Sequence, residues 1–438
     1  MPQSGLTIAR LHPARLTRWM HGRSAFFRNV SVMLAGSVIG QMTSVVLSPV
    51  LTRLFSPAEF GVLGVFTAVL TIIVVMASLR YEMAIPVVAD ADDAVALMVL
   101  CFGVLLATTG VVGAAAYAAP AGWLEGMGLS PLLSYRWLLP AGFGGLGAYF
   151  IVLYLATNLG AFPAIARTRI SQGVLGPVSQ IGLGLLGAGA PGLVLGYVLG
   201  QSAGAIDLLR RTVRIASLRA VRVGRIRTLA ARFRRFPLIA SWAALIDAAG
   251  TNQILYLLVS LQFSVEVAGF IFLSERIVAR PLMMLGTSLL QVFVGEAGRT
   301  ATTDPARLRW RFRQVVRQQV LVAVVWIAAA NAGAALLFPA VFGADWAGAV
   351  VYVQALSVAY LAQAVVQPVF HTLQLLERQS TAAVWQAGRL VLVLATFGVC
   401  VQLGLPAPAT ILAYAVAQAA ACLVLFLLIA RAIQRIQP

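Results

Sequence analysis

The sequence predicts an all-α polytopic membrane protein of twelve transmembrane helices, and three observations carry that reading. Of 438 residues 60% are apolar and only 11% are charged, with a mean hydropathy of +0.90. A soluble domain is about 25% charged, so the solvent implied here is lipid. Uncharged stretches recur that reach or exceed the roughly 20 residues a helix needs to cross a bilayer. Finally, all 32 basic residues are arginine, and they gather between alternate stretches.

The spans follow in order. Residues 29–52, 60–79, 94–124 and 137–166 hold no Asp, Glu, Lys or Arg and read as one helix each. Residues 170–206 are uncharged but too long for one span, and Gly187 to Gly192 (GAGAPG) breaks them into a hairpin. Segments 237–259, 267–295, 318–338 and 349–371 supply the seventh to tenth spans. The uncharged run 390–430, broken by Gly404 to Ala409 (GLPAPA), supplies the last two. The expected organisation is an arginine-rich segment 1–26, a first bundle 27–209, a basic linker 210–236, a second bundle 237–430 and a tail 431–438. In the linker between spans eight and nine, Asp304-Pro305 reads as a helix start, and Arg309, Arg313 and Arg317 form one basic face at the headgroup level.

Arginine placement sets the orientation. With the N-terminus cytoplasmic, 27 arginines fall on the cytoplasmic side, including Arg167 and Arg169 in a turn and ten between Arg210 and Arg235. Only Arg53 and Arg136 fall opposite, and Arg276, Arg280 and Arg389 lie within spans. That asymmetry places both termini in the cytoplasm of a multi-pass protein. The net charge of +18 is therefore mainly topology, with attraction to the lipid bilayer's anionic headgroups added, and nucleic acid is not an expected partner. No cleavable signal peptide is expected, since the first 28 residues are arginine-rich and interrupted by His12-Pro13. Cys101, Cys400 and Cys422 fall in apolar runs and read as small core residues.

Enzyme chemistry lacks its motifs. There is no G-x-x-x-x-G-K-[ST], no H-E-x-x-H and no G-x-S-x-G, and three scattered histidines offer no metal site. No cofactor, metal or catalytic residue is expected. No loop on the arginine-poor side exceeds about 17 residues, which leaves no outer domain to house an enzyme.

Polar stripes inside spans mark packed or hydrated interiors, because a lipid-facing helix gains nothing from them. The first span aligns Ser37, Gly40, Gln41, Ser44 and Ser48, and the second Thr67, Thr71 and Ser78. The tenth aligns Tyr360, Gln363, Gln367, His371 and Gln374. In the eighth, Arg276 and Arg280 are four apart, with Thr287 and Gln291 on the same face, whereas Glu275 points about 100° away from Arg276. One arginine in hydrocarbon costs ~2.5–3.5 kcal/mol on insertion scales, so two on a face imply water or anions. Each charge also has a structural reading as an interhelical pair, such as Asp247 with Arg276. A basic, hydrated interior suits an amphiphile with an anionic headgroup, which arginine's planar fork binds as phosphate.

Specific strings add to this. Leu51 to Gly61 reads LTRLFSPAEFG, Leu79 to Pro86 reads LRYEMAIP, and Ala268 to Arg299 reads AGFIFLSERIVARPLMMLGTSLLQVFVGEAGR. Together they resemble polysaccharide flippases of the Wzx type, in the multidrug/oligosaccharidyl-lipid/polysaccharide exporter superfamily. Gly269, Arg276, Pro281 and Gln291-Val292-Phe293 follow that family's order in the eighth span. The resemblance implies two six-helix bundles in a MATE-like V with alternating access. It also implies that the cargo is an oligosaccharide on undecaprenyl pyrophosphate, moved across the bacterial inner membrane for lipopolysaccharide, capsule or exopolysaccharide assembly. A polysaccharide polymerase and a chain-length regulator are candidate partners.

The expected substrate-binding residues are Arg276, Arg280, Arg389, Gln291, Gln363, Gln367, His371 and Gln41. Arg80 and Glu82 read equally as a gate or a structural pair, and Asp247 or Glu275 are candidates for a coupling proton. Two rivals stand beside the flippase. A cation-coupled multidrug exporter of the same fold would want an acidic cavity, and a membrane polysaccharide polymerase would want a large outer loop.

Overall fold

The computed structural model describes residues 35–213, 222–249, 253–286, 305–369 and 379–434. Helices form where the uncharged stretches lie. They are α1 (Ala35–Leu54), α2 (Pro57–Ile73), α3 (Ala91–Ala118), α4 (Leu138–Asn158), α5 (Phe162–Leu185) and α6 (Gly189–Val213). After a linker helix α7 (Val223–Arg232) come α8 (Ser241–Ala249) and α9 (Gln253–Gln262). Then α10 (Val265–Ser274) runs on through a π turn (Glu275–Ala279) to residue 286. The set closes with α11 (Pro305–Phe342), α12 (Ala349–Val366), α13 (Gln379–Gln402) and α14 (Ala407–Gln434). No strand occurs among the described residues.

Nine of these helices are long and apolar enough to span a membrane among the described residues, and the chain is a multi-pass membrane protein. The expected fifth, seventh and eighth spans are the ones outside that set. Helix α5 is long enough but carries Arg167, Arg169, Gln172 and Gln180, α8 and α9 are short, and α10 holds Glu266, Glu275, Arg276 and Arg280. Helices α5 and α10 thus depart by their polar side chains, and α8 and α9 by their length.

Two boundaries move. The fourth span ends at Asn158, where Gly160 (φ +66°) turns the chain, and α5 starts at Phe162. Arg167 and Arg169, expected in a turn, thus lie inside a helix. Similarly, the basic face expected ahead of the ninth span is continuous with it, because α11 runs unbroken from Pro305 to Phe342.

Helices α3 to α6 pack on one another in the first half, and α11 with α12 and α12 with α14 in the second. The halves meet where α2 lies against α9 and α10. That contact is nearly backbone to backbone. A Cβ on Gly61 would sit 1.8 Å from the Val265 carbonyl oxygen, and one on Gly269 would sit 1.8 Å from that of Pro57. Any side chain larger than hydrogen at either position would force the helices apart.

Both helix starts are fixed locally. Ser56 Oγ accepts from the Glu59 amide while Glu59 accepts from the Ser56 amide at 2.7 Å, and Ser264 Oγ accepts from the Val267 amide. Trp346, fully buried, completes the seal by donating Nε1–H to the Thr52 carbonyl at 3.0 Å and meeting Phe60 edge-on at 4.9 Å. This sealed end is the arginine-poor one.

At the arginine-rich end the linker helix is docked. Arg225 pairs with Asp90, with Asp92 at 3.6 Å and with Asp93 at 2.5 Å, and Tyr81 donates to the Ala230 carbonyl. The hydrogen bond to Asp93 is the leading cause that holds the Arg225 guanidinium above its ordinary value. Beside this contact the chain bends with Leu79 (φ +49°) and Arg80 (φ +63°) in left-handed conformations.

Candidate functional site

Immediately on the arginine-rich side of the seal lies a cavity of ≈490 Å³ between the halves. Helix α1 contributes Ser37, Gln41 and Ser44, α5 contributes Arg169, Gln172 and Gln180, and α6 contributes Tyr197 and Gln201. Opposite them stand Gln253 from α9 and Glu275, Arg276 and Arg280 from α10. The stripe on the first span and the charged face of the eighth thus look at each other. A side chamber of ≈270 Å³ shares Gln41, Glu275 and Arg280 and adds Gln363 and Gln367 from the end of α12.

Small residues let α1 and α5 build this wall. A Cβ on Gly173 would fall 2.2 Å from the Gly40 carbonyl oxygen, so the two backbones touch and the longer polar side chains on either side line the cavity. Spacing does the rest, since Arg169, Gln172, Gly173, Gly176 and Gln180 share one face at three- and four-residue intervals.

The two expected arginines of α10 are held differently. Arg276 is only 4% exposed and donates one terminal NH₂ to the Ser44 carbonyl at 3.0 Å and to Ser44 Oγ at 2.8 Å. Its buried Nε has no acceptor among the described residues. Arg280 lies 3.8 Å from Glu275, with its guanidinium 5.3 Å from the Phe272 ring centroid and its side chain 41% exposed. Glu275 also accepts from the Tyr256 hydroxyl.

Five residues of an α-helix leave two side chains on different faces, so Glu275 and Arg280 would not meet in regular geometry. The π turn changes that. The Arg280 amide donates to the Glu275 carbonyl, an i to i+5 bond that stacks the two positions. Among the described residues no carboxylate pairs with Arg276, and its hydrogen bonds go to the opposite half.

Arg169, expected outside the membrane core, is the third cavity arginine, with its guanidinium 5.3 Å from the Tyr149 ring centroid. Among the described residues, the cavity therefore presents three arginines against one carboxylate. Neutral polar groups surround them. Gln172 donates to the Gln201 carbonyl, Gln201 to the Tyr197 hydroxyl, and Gln180 to the Leu193 carbonyl. Such a lining offers a fork for phosphate and alternating donors and acceptors for hydroxyl-rich groups.

Gln41, Glu275, Arg276, Arg280, Gln363 and Gln367 are thus brought to one place. Gln291 and His371 lie outside the described residues, and Asp247 lies on α8. Arg80 and Glu82 are 3.7 Å apart at the bend after α2, where buried Glu82 also accepts from Ser78, and neither lines the cavity. Arg389 lines a separate cleft between α13 and α14. Arg169, Gln172, Gln253 and Tyr256 were not expected here; starting the fifth span at Phe162 instead of 170 would have exposed the α5 stripe. Among the described residues no group of three or more His, Cys, Asp or Glu is placed to hold a metal ion.

The geometry has counterparts. A profile described as polysaccharide biosynthesis protein matches residues 50–351. No curated protein sequence matches the chain. Among solved structures, an inward-facing multidrug resistance transporter of the MATE family, MOP superfamily, is 15% identical, with a TM-score of 0.64 over 92% of this chain and 95% of that one. Lipid II flippase MurJ in an inward closed conformation is 9% identical, with a TM-score of 0.70 over 93% and 87%. A MOP superfamily transporter from Pyrococcus furiosus is 14% identical, with a TM-score of 0.60 over 94% and 96%. At these identities the likeness is one of fold, and the fold is that of the MOP superfamily.

Proposed function

The chain belongs to the polysaccharide biosynthesis protein family, and from that premise we propose that it is a flippase for an undecaprenyl-pyrophosphate-linked oligosaccharide. Its place is the bacterial inner membrane with both termini cytoplasmic, and its product feeds lipopolysaccharide, capsule or exopolysaccharide assembly. The observation that carries this reading is the charge of the cavity between the halves, where among the described residues Arg169, Arg276 and Arg280 face a single carboxylate. An anionic diphosphate meets guanidinium forks there, while glutamines from five helices meet sugar hydroxyls. The lipid tail needs no polar path and stays in the bilayer.

Arg169 comes from the first half and Arg276 from the second, so a diphosphate between them bridges both. The seal of α2 on α10 leaves the cavity on the arginine-rich side, where cargo loads. Release requires that seal to part and the other end to close, which is alternating access. Glu275, already held by Tyr256 and Arg280, is the carboxylate in place to take a coupling proton. A polymerase and a chain-length regulator receive the product on the far side.

A deletion strain tests the reading. Lipid-linked repeat units accumulate on the cytoplasmic leaflet, and the intact gene, but not one encoding Arg276→Ala, clears them. Normal surface polysaccharide without accumulation would reject the assignment. A cation-coupled drug exporter would instead show drug sensitivity on deletion and unchanged polysaccharide, an outcome the basic cavity argues against.

A further inference from the structure

Helices α11 to α14 pack together, and their buried apolar residues fall into two separate clusters. Toward the arginine-rich end lie Val315, Val366, Trp385 and Cys422. Farther along the same helices lie Ala323, Tyr360, Val393 and Tyr414. Each helix carries one polar residue between its two members, on the same face at three- or four-residue spacing. They are Gln319 on α11, Gln363 on α12, Arg389 on α13 and Gln418 on α14. The helices alternate in direction, and in each the polar residue stands one turn from the same cluster. A polar layer thus crosses the four-helix unit between two apolar cores.

The layer lies within the apolar spans, away from bulk water. Arg389 and Gln363 have interactions of their own within the protein, and the Arg389 guanidinium rests 5.1 Å from the Trp385 ring centroid. The other two glutamines differ. Gln319 is 0% exposed, and neither the nitrogen nor the oxygen of its amide has a partner among the described residues. Gln418 is 2% exposed, and its amide nitrogen likewise has none. An amide buried without a partner is destabilising, so a small polar molecule is called for. Residues 316–322, 361–365, 386–392 and 415–420 contain no Asp or Glu, so beside Arg389 that molecule is not a cation. Water fits, since a buried water needs roughly two to four polar partners and the layer offers amides of both kinds. Access exists as well, because Gln363 also lines the side chamber.

We propose that this layer is a binding site for water inside the second half, supplied from the side chamber past Gln363 and held by the amides of Gln319 and Gln418. It rests on helix register and burial, and it stands whether or not the chain moves the proposed cargo.

Thiol accessibility of the full chain in proteoliposomes tests this. Cys101, Cys400 and Cys422 are first replaced by alanine. Single cysteines are then introduced as Gln319→Cys and Gln418→Cys in the layer, and as Val315→Cys and Ala323→Cys one turn to either side. A small hydrophilic methanethiosulfonate should modify the two layer positions about tenfold faster than the two apolar ones, because only the layer admits water. Equal rates at all four positions would overturn the proposal. Thermal unfolding of Gln319→Leu and Gln418→Leu gives a second reading that does not depend on the space a cysteine opens. Where water satisfies the amides, each replacement strands its water and lowers the unfolding temperature. Where the amides are dry, each replacement removes a penalty, and an unchanged or raised unfolding temperature would overturn the proposal. If a cysteine variant fails to fold, the leucine pair decides the question.

Discussion

Arg276 is buried, faces no carboxylate among the described residues, and gives its hydrogen bonds to Ser44 across the interface between the halves. Those acceptors are neutral, so the positive charge stays available to an anion in the cavity. Removing it should abolish movement of the anionic headgroup, and Arg276→Lys should spare part of the rate, because a point charge remains but the fork is lost. Reconstituted vesicles scored for headgroup translocation provide the measurement, with thermal unfolding as the control for folding. Arg169→Ala should behave like Arg276→Ala, since it supplies the charge of the opposite wall. At the seal, Trp346→Phe removes one buried hydrogen bond and should cost about 1 kcal/mol. Trp346→Ala leaves a cavity and should cost roughly 3–5 kcal/mol. Both are read as losses in unfolding free energy in detergent.

Among the elements, α2 and α10 decide which end is closed. Alanine at Gly61 or Gly269 cannot coexist with the present contact, because its Cβ would overlap a carbonyl oxygen of the other helix. Nitroxide labels at Ala58 and Glu266, both exposed beside the seal, should report a short, narrow distance in wild type and a longer one in Gly269→Ala. An unchanged distance would mean that the helices part elsewhere. The linker helix α7 offers a separate test. Arg225→Glu replaces three attractions to Asp90, Asp92 and Asp93 with repulsions, so hydrogen exchange across Val223–Arg232 should rise.

This scale also shows where the amino-acid sequence was readable. Uniformly apolar helices such as α3 and α14 announced themselves by length and lack of charge. Helix α5 did not, because its arginines looked like a loop until the turn at Gly160 set its start. The stripes on α1 and α10 were legible from their three- and four-residue spacing. The meeting of Glu275 with Arg280 was not, because it depends on a π turn that no periodicity reveals. Arg389 sits on a span as expected, but only packing shows that it borders the α13–α14 cleft and not the central cavity.

Across the whole molecule, the two halves touch through glycines at one end and enclose a basic, glutamine-lined space beyond that contact. The arrangement follows from chemistry that lipid penalises: polar helices α5 and α10 cannot face acyl chains and so turn toward each other's half. The proposed orientation rests on arginine placement, and the proposed class of cargo on the balance of charge in the cavity.

The central claim is that the guanidinium groups between the halves hold a lipid diphosphate during crossing, and proteoliposomes test it most directly. Purified protein is reconstituted with a labelled polyprenyl-pyrophosphate sugar, and the fraction reaching the far leaflet is followed over time. Wild-type protein should move the label, while Arg276→Glu should reduce transfer to the protein-free rate with its unfolding temperature preserved. Equal transfer by the two proteins would contradict the account.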